Sequence, residues 1–158
     1  MTNLTVKGHR FVVRDFYNGN PPKALILINR NEKVGPELTE VMGSCPHILL
    51  CFDDIELPRF ARNVCTEQHI SDAIKWAADK DDVVVSCTVG VSRSPAIAYA
   101  IAAAQRGHQE AMAVLNPKLH MPNSLIIRLT AVLLKQPEIV TLVETWKMNN
   151  IISDGAIF

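Results

Sequence analysis

Three short aliphatic runs constrain this chain more than any other feature: residues 24–28 (ALILI), 47–52 (HILLCF) and 83–86 (VVVS). Each is apolar nearly throughout. That is the pattern of strands covered on both faces, not the alternation of a sheet with one wet face. A fourth, weaker strand candidate is 11–16. Helical patterns separate the runs. Residues 36–42 form a short one, and 66–78 a longer one with Ile70, Ala73, Ile74 and Ala77 at helical spacing and Thr66 suited to its start. The second half is helical: 95–105, stopped by Gly107, then 109–115, 123–135 and 138–147. Strands alternating with helices predict a single α/β domain. Its central, mostly parallel sheet of about four or five strands is flanked by helices and followed by a helical C-terminal half.

The 158 residues suit one domain spanning 1–158, with 151–158 read as a loosely packed end. Hydrophobic residues at 48% and charged residues at 20% exclude disorder as a global description. Sixteen basic side chains balance sixteen acidic ones, so no positive field speaks for nucleic acid or an anionic membrane as partner. Cys45, Cys51, Cys65 and Cys87 show neither a C-x-x-C pair nor zinc-ligand spacing and read as reduced thiols. The first residues lack the apolar core of a signal peptide, and the longest apolar run, 96–104, is half of what a membrane span needs. A cytoplasmic location is the expectation.

The chemistry is concentrated in Cys87-Thr88-Val89-Gly90-Val91-Ser92-Arg93-Ser94-Pro95, where a strand runs through a tight loop into a helix. Such a loop aims its backbone N–H groups at one spot, and the helix dipole adds positive potential there. Ser94 fits the N-cap and Pro95 the first helical position. The fork of Arg93 suits two phosphate oxygens at once. The same field favours an anionic sulfur, which gives Cys87 a chemical reason to sit at the strand end. A bare C-x5-R pair is weak; Gly90, the Arg93-Ser94-Pro95 continuation and the strand-to-helix context make it specific.

This loop resembles the signature of the cysteine-dependent protein tyrosine phosphatases in their dual-specificity branch, with small bacterial and phage proteins as the nearest likeness. The similarity extends from about Ala24 to Leu134. Phe52-Asp53-Asp54-Ile55 resembles the family's general-acid segment, and Asp54 precedes Cys87 by 33 residues, a separation that branch shows. Met121-Pro122-Asn123-Ser124 resembles its downstream Pro-Asn segment. The low-molecular-weight phosphatases place the loop first and the acid after it, the reverse of the order here. One position departs from the pattern: Ser86 stands where the family has a histidine before the nucleophile.

The resemblance implies a two-step displacement with no metal or organic cofactor. Cys87 attacks phosphorus, and an aspartate first protonates the leaving oxygen and then activates water. Arg93 and the backbone of residues 88–93 (Thr88, Val89, Gly90, Val91, Ser92 and Arg93) hold the phosphoryl oxygens. Ser94 assists the departing sulfur. Asp54 is preferred over Asp53 as the acid, with Glu56 a third choice, and Asn123 supports the loop or caps its helix. Arg59, near the acid segment, reads as a solvated side chain. The implied partners are a phosphorylated protein or peptide, with phosphate, sulfate or vanadate in the loop. The expected function is phosphomonoester hydrolysis, most directly of phosphotyrosine. The alternatives are a catalytically silent phosphopeptide-binding module, motivated by Ser86, or a phosphatase of RNA 5′-phosphates or inositol phosphates. Sulfur transfer and arsenate reduction are more distant.

Overall fold

A computed structural model describes residues 1–57 and 63–153. Four strands, β1 (Asn3–Gly8), β2 (Leu25–Asn29), β3 (His47–Cys51) and β4 (Asp82–Cys87), form one sheet in the order β1-β4-β2-β3. Every pairing is parallel. The three apolar runs are β2, β3 and β4, as their composition demands. Because all strands run the same way, their C-terminal ends share one edge of the sheet, where ligands of open α/β folds bind.

The faces of β2 divide the core. Leu25 and Leu27 pack with Val12 of α1 (His9–Tyr17) and Val41 of α2 (Pro36–Gly43). Ile26 and Ile28 join the larger core on the opposite face. There α4 (Arg93–Arg106) lies with α3 (Glu67–Ala77), α5 (Ser124–Leu134) and α6 (Glu138–Ser153). Residues Arg93 to Ala103 of α4 are all buried, and five of them are alanines, whose small side chains let neighbouring elements approach closely. The apolar run that was too short for a membrane is thus the central helix of the domain. No helix among the described residues is long and apolar enough to cross a bilayer.

Three readings need correction. Residues 11–16 belong to helix α1, and the fourth strand is β1, Asn3–Gly8. Val12 and Phe16 lie one helical turn apart on the buried side, but in nine residues a cluster of β-branched and aromatic side chains mimics a strand. Residues 109–115 form only a short 3-10 helix, Glu110–Val114. The last helix runs past 147 to Ser153, so the first three residues of the expected loose end are helical; 154–158, like Arg59, lie outside the described residues.

Three histidines should make stability pH-dependent. His69 accepts the Thr66 N–H on Nδ1 at 3.0 Å, closing the box that caps α3, and His120 accepts the Asn116 N–H on Nδ1 at 2.9 Å. His9 sits half-buried with Nε2 3.1 Å from the Ile28 carbonyl. Burial is the leading cause that lowers all three below the ordinary imidazole value of 6.5. Between that value and their folded pKa values the unfolded chain therefore binds more protons, so acid favours unfolding. The urea midpoint should hold between about pH 6.5 and 8 and fall steadily below pH 6.5. His69→Gln and His120→Gln should each flatten that fall. The lowered carboxylates, Asp15, Asp79 and Asp82, start from 3.8 and contribute only at much lower pH. A midpoint constant from pH 7 to 5 would contradict this account.

Candidate active site

At the end of β4 the chain turns sharply through residues 88–92 and enters α4. Cys87 is 2% exposed, and three polar groups surround its sulfur. The N–H of Gly90 points at Sγ from 3.3 Å and that of Ser94 from 3.4 Å, while Ser94 Oγ lies 3.1 Å away. Two of these are backbone groups at the positive end of a buried helix, which is where an anion is favoured.

The turn is braced from the side by the end of β1. Gly8 pairs with Cys87 in the sheet, and the N–H of His9 donates to the Thr88 carbonyl at 3.3 Å. Gly90 has φ +81, and a Cβ there would lie 2.5 Å from the Gly8 nitrogen; a Cβ on Gly8 would lie 2.7 Å from the Val89 oxygen. Backbone touches backbone, so neither position has room for a side chain.

The helix start corrects the expected cap. α4 begins at Arg93, with Ser92 as its N-cap residue and no side-chain capping bond. Pro95 is therefore the third helical residue, not the first. The Ser94 hydroxyl lies against the cysteine sulfur and does not cap the helix.

Arg93 is 8% exposed. Its Nη1 donates to the Phe52 carbonyl just beyond β3 at 2.9 Å, and its Nη2 to Thr88 Oγ1 at 3.2 Å. One guanidinium thus joins the end of an outer strand to the loop. It has five N–H donors, so these two bonds leave others for a ligand.

The two aspartates separate by their partners. Asp54 Oδ1 accepts from Ser92 Oγ at 2.7 Å and from Asn123 Nδ2 at 2.8 Å, so this carboxylate is tied directly to the loop that follows Cys87. Asp53 instead pairs with Arg30 at 3.1 Å. Glu56 Oε1 accepts the Ser124 N–H at 3.1 Å. Asn123 does both things expected of it as alternatives. Its Oδ1 caps α5 through the Ile126 N–H at 3.1 Å, and its backbone N–H donates to the Ser92 carbonyl at 3.0 Å. Sequence reasoning missed His9 and Lys147. His9 is the first residue of α1, and Arg93 adds to the burial that lowers its pKa. Lys147 of α6 is buried behind the Pro122-Asn123-Ser124 segment.

Ser86 is fully buried, and its hydroxyl has no hydrogen-bond partner among the described residues. All four cysteines are free thiols, and burial pushes Cys65 up to about 12. No group of three or more His, Cys, Asp or Glu side chains among the described residues could hold a metal.

No protein-family model matches the chain, and no curated protein sequence does so significantly. Solved structures do. The human tyrosine phosphatase-like serine/threonine/tyrosine-interacting protein superposes with a TM-score of 0.60 at 15% identity, covering 88% of this chain and 93% of that one. The crystal structure of DUSP15 gives 0.58 at 14% identity, with 92% of each chain covered. PTPMT1 in complex with PI(5)P gives 0.55 at 15% identity, covering 90% of this chain and 89% of that one. A four-stranded parallel sheet flanked by helices, shared over nearly the whole length of these proteins, gives this chain the fold of the tyrosine phosphatases in their dual-specificity-like form.

Proposed function

We propose that this protein is a phosphomonoester hydrolase that works through a phosphocysteine on Cys87, with phosphotyrosine in proteins as its substrate. One observation carries the reading: Asp54 is hydrogen-bonded to Ser92 of the very loop whose N–H groups surround the Cys87 sulfur. Nucleophile, oxyanion cradle and proton donor are thereby held in one bonded unit.

In the first step the Cys87 thiolate attacks phosphorus. The bond to the leaving oxygen breaks, and that oxygen takes the Asp54 proton. Asp54 Oδ1 is occupied by Ser92 and Asn123, so Oδ2 carries and delivers the proton. Arg93 and the N–H groups of residues 88–93 bind the three equatorial oxygens. In the second step Asp54 takes a proton from water as its oxygen attacks phosphorus. The sulfur leaves as thiolate, stabilised by the Ser94 hydroxyl at 3.1 Å.

The test is phosphate release from p-nitrophenyl phosphate and a phosphotyrosine peptide without metal. Turnover should be inhibited by vanadate and abolished in Cys87→Ser; turnover that survives this substitution rejects the reading. The unpartnered Ser86 hydroxyl favours a second reading, a silent phosphopeptide-binding module. That module would bind the peptide through Arg93 and release no phosphate. Rates on an RNA 5′-phosphate and an inositol phosphate, run alongside, test the remaining substrate classes.

A further inference from the structure

Lys147 is the one lysine among the described residues that is buried, at 8% exposure. Withdrawing an ammonium from water is costly unless it is paired and fully hydrogen-bonded. This one is. Its Nζ donates to the Pro122 carbonyl at 2.9 Å and to Ser124 Oγ at 2.8 Å. It also lies 3.5 Å from Glu144 Oε2 and 3.9 Å from Glu56 Oε1. Ser124 Oγ in turn donates to Glu144 Oε1 at 2.7 Å.

The groups gathered by this cation are the ones that grip the Asp54 loop. Asn123, between Pro122 and Ser124, donates to Asp54 Oδ1 and to the Ile55 carbonyl at 3.3 Å. Ser124 donates its N–H to Glu56, and Arg128 donates to the Glu56 carbonyl at 2.6 Å. Three consecutive residues after β3 are therefore fastened to the first turns of α5, and Lys147 fastens that start from beneath. Removing its charge would also leave the Glu56 and Glu144 carboxylates without their shared cation.

We propose that Lys147 is a positioning residue that holds the Asp54 loop against the Cys87 loop, so that the proton is delivered from a latched carboxyl and not from a loop that swings. This rests on Asp54 being the general acid. Lys147 touches no reacting atom, so its effect should be confined to the step that needs the proton.

The experiment compares kcat/KM for phenyl phosphate, whose leaving group needs a proton, with p-nitrophenyl phosphate, whose leaving group does not. Lys147→Met keeps the stem and removes the charge. It should lower the first rate about 10- to 100-fold, the scale of a misplaced catalytic group, and leave the second within about twofold. In an Asp54→Asn background the same substitution should cost nothing further. Equal loss on both esters, or an undiminished loss in that background, overturns the proposal. Should Lys147→Met not fold, Glu56→Ala decides instead. It cuts the same latch at a half-exposed side chain and should show the same selectivity for phenyl phosphate. A wild type inert on both esters rejects the phosphatase reading and this proposal together. A wild type whose Asp54→Asn variant is selective while Lys147→Met and Glu56→Ala are not rejects the latch alone.

Discussion

If Asp54 is the general acid, Asp54→Asn should lower kcat/KM for phenyl phosphate and for a phosphotyrosine peptide by about 10²–10⁴-fold, the usual contribution of a positioned proton donor. For p-nitrophenyl phosphate the loss is far smaller, because that leaving group departs without a proton. Asparagine is the informative replacement. Its carboxamide oxygen still accepts from Ser92 Oγ and Asn123 Nδ2, so the loop stays tied while the transferable proton is gone. Alanine would remove the proton and the tether together and confound the two. Steady-state rates on the two esters decide the matter. Equal losses would make Asp54 an anchor for Ser92 and Asn123 and leave the proton donor to be found elsewhere. The adjacent Asp53 serves as control: paired with Arg30, Asp53→Asn should leave the ratio of the two rates unchanged.

What the sequence could reveal follows the distance over which each feature is encoded. The candidate phosphate loop is a run of consecutive residues, Cys87 to Ser94, so its strand-to-helix turn could be read before any fold was known. β2, β3 and β4 were legible because each carries at least three consecutive aliphatic residues, ILL in β3, LILI in β2 and VVV in β4. β1 was not. At the sheet edge its exposure is mixed, and its lysine, threonine and asparagine dilute the signal. The partners of Asp54 were also beyond reach. Ser92 and Asn123 lie 38 and 69 residues from it, and only the parallel topology brings β3, β4 and the start of α5 to one edge. The Ser94-Pro95 pair misled for a physical reason. It has the composition of a helix start, but the hydroxyl is claimed by a sulfur that a capping rule does not consider.

Arg93→Lys is expected to be nearly as damaging as loss of the acid, and on every ester alike. A lysine keeps the charge but offers one ammonium where the guanidinium offers a planar fork. It cannot hold the Phe52 carbonyl and Thr88 Oγ1 while also gripping two phosphoryl oxygens. We expect kcat/KM to fall about 10²–10³-fold, the scale for losing an oxyanion donor, with vanadate affinity falling in parallel. Arg93→Ala adds a structural cost. It leaves the carbonyl of the fully buried Phe52 without its donor, a loss of about 1–3 kcal/mol readable in the urea midpoint. His9 supplies an internal reporter of the same change. Burial is the main cause of its lowered pKa, but the Arg93 charge lowers it further, so removing that charge should raise the His9 titration followed by NMR. If activity falls while vanadate affinity holds, Arg93 acts only by pinning the end of β3 to the loop. If activity, oxyanion affinity and the His9 titration move together, the same guanidinium both builds the site and binds its ligand. A single buried arginine then accounts for why the end of β3, which leads into Asp54, and the loop after β4, which follows Cys87, stay in register.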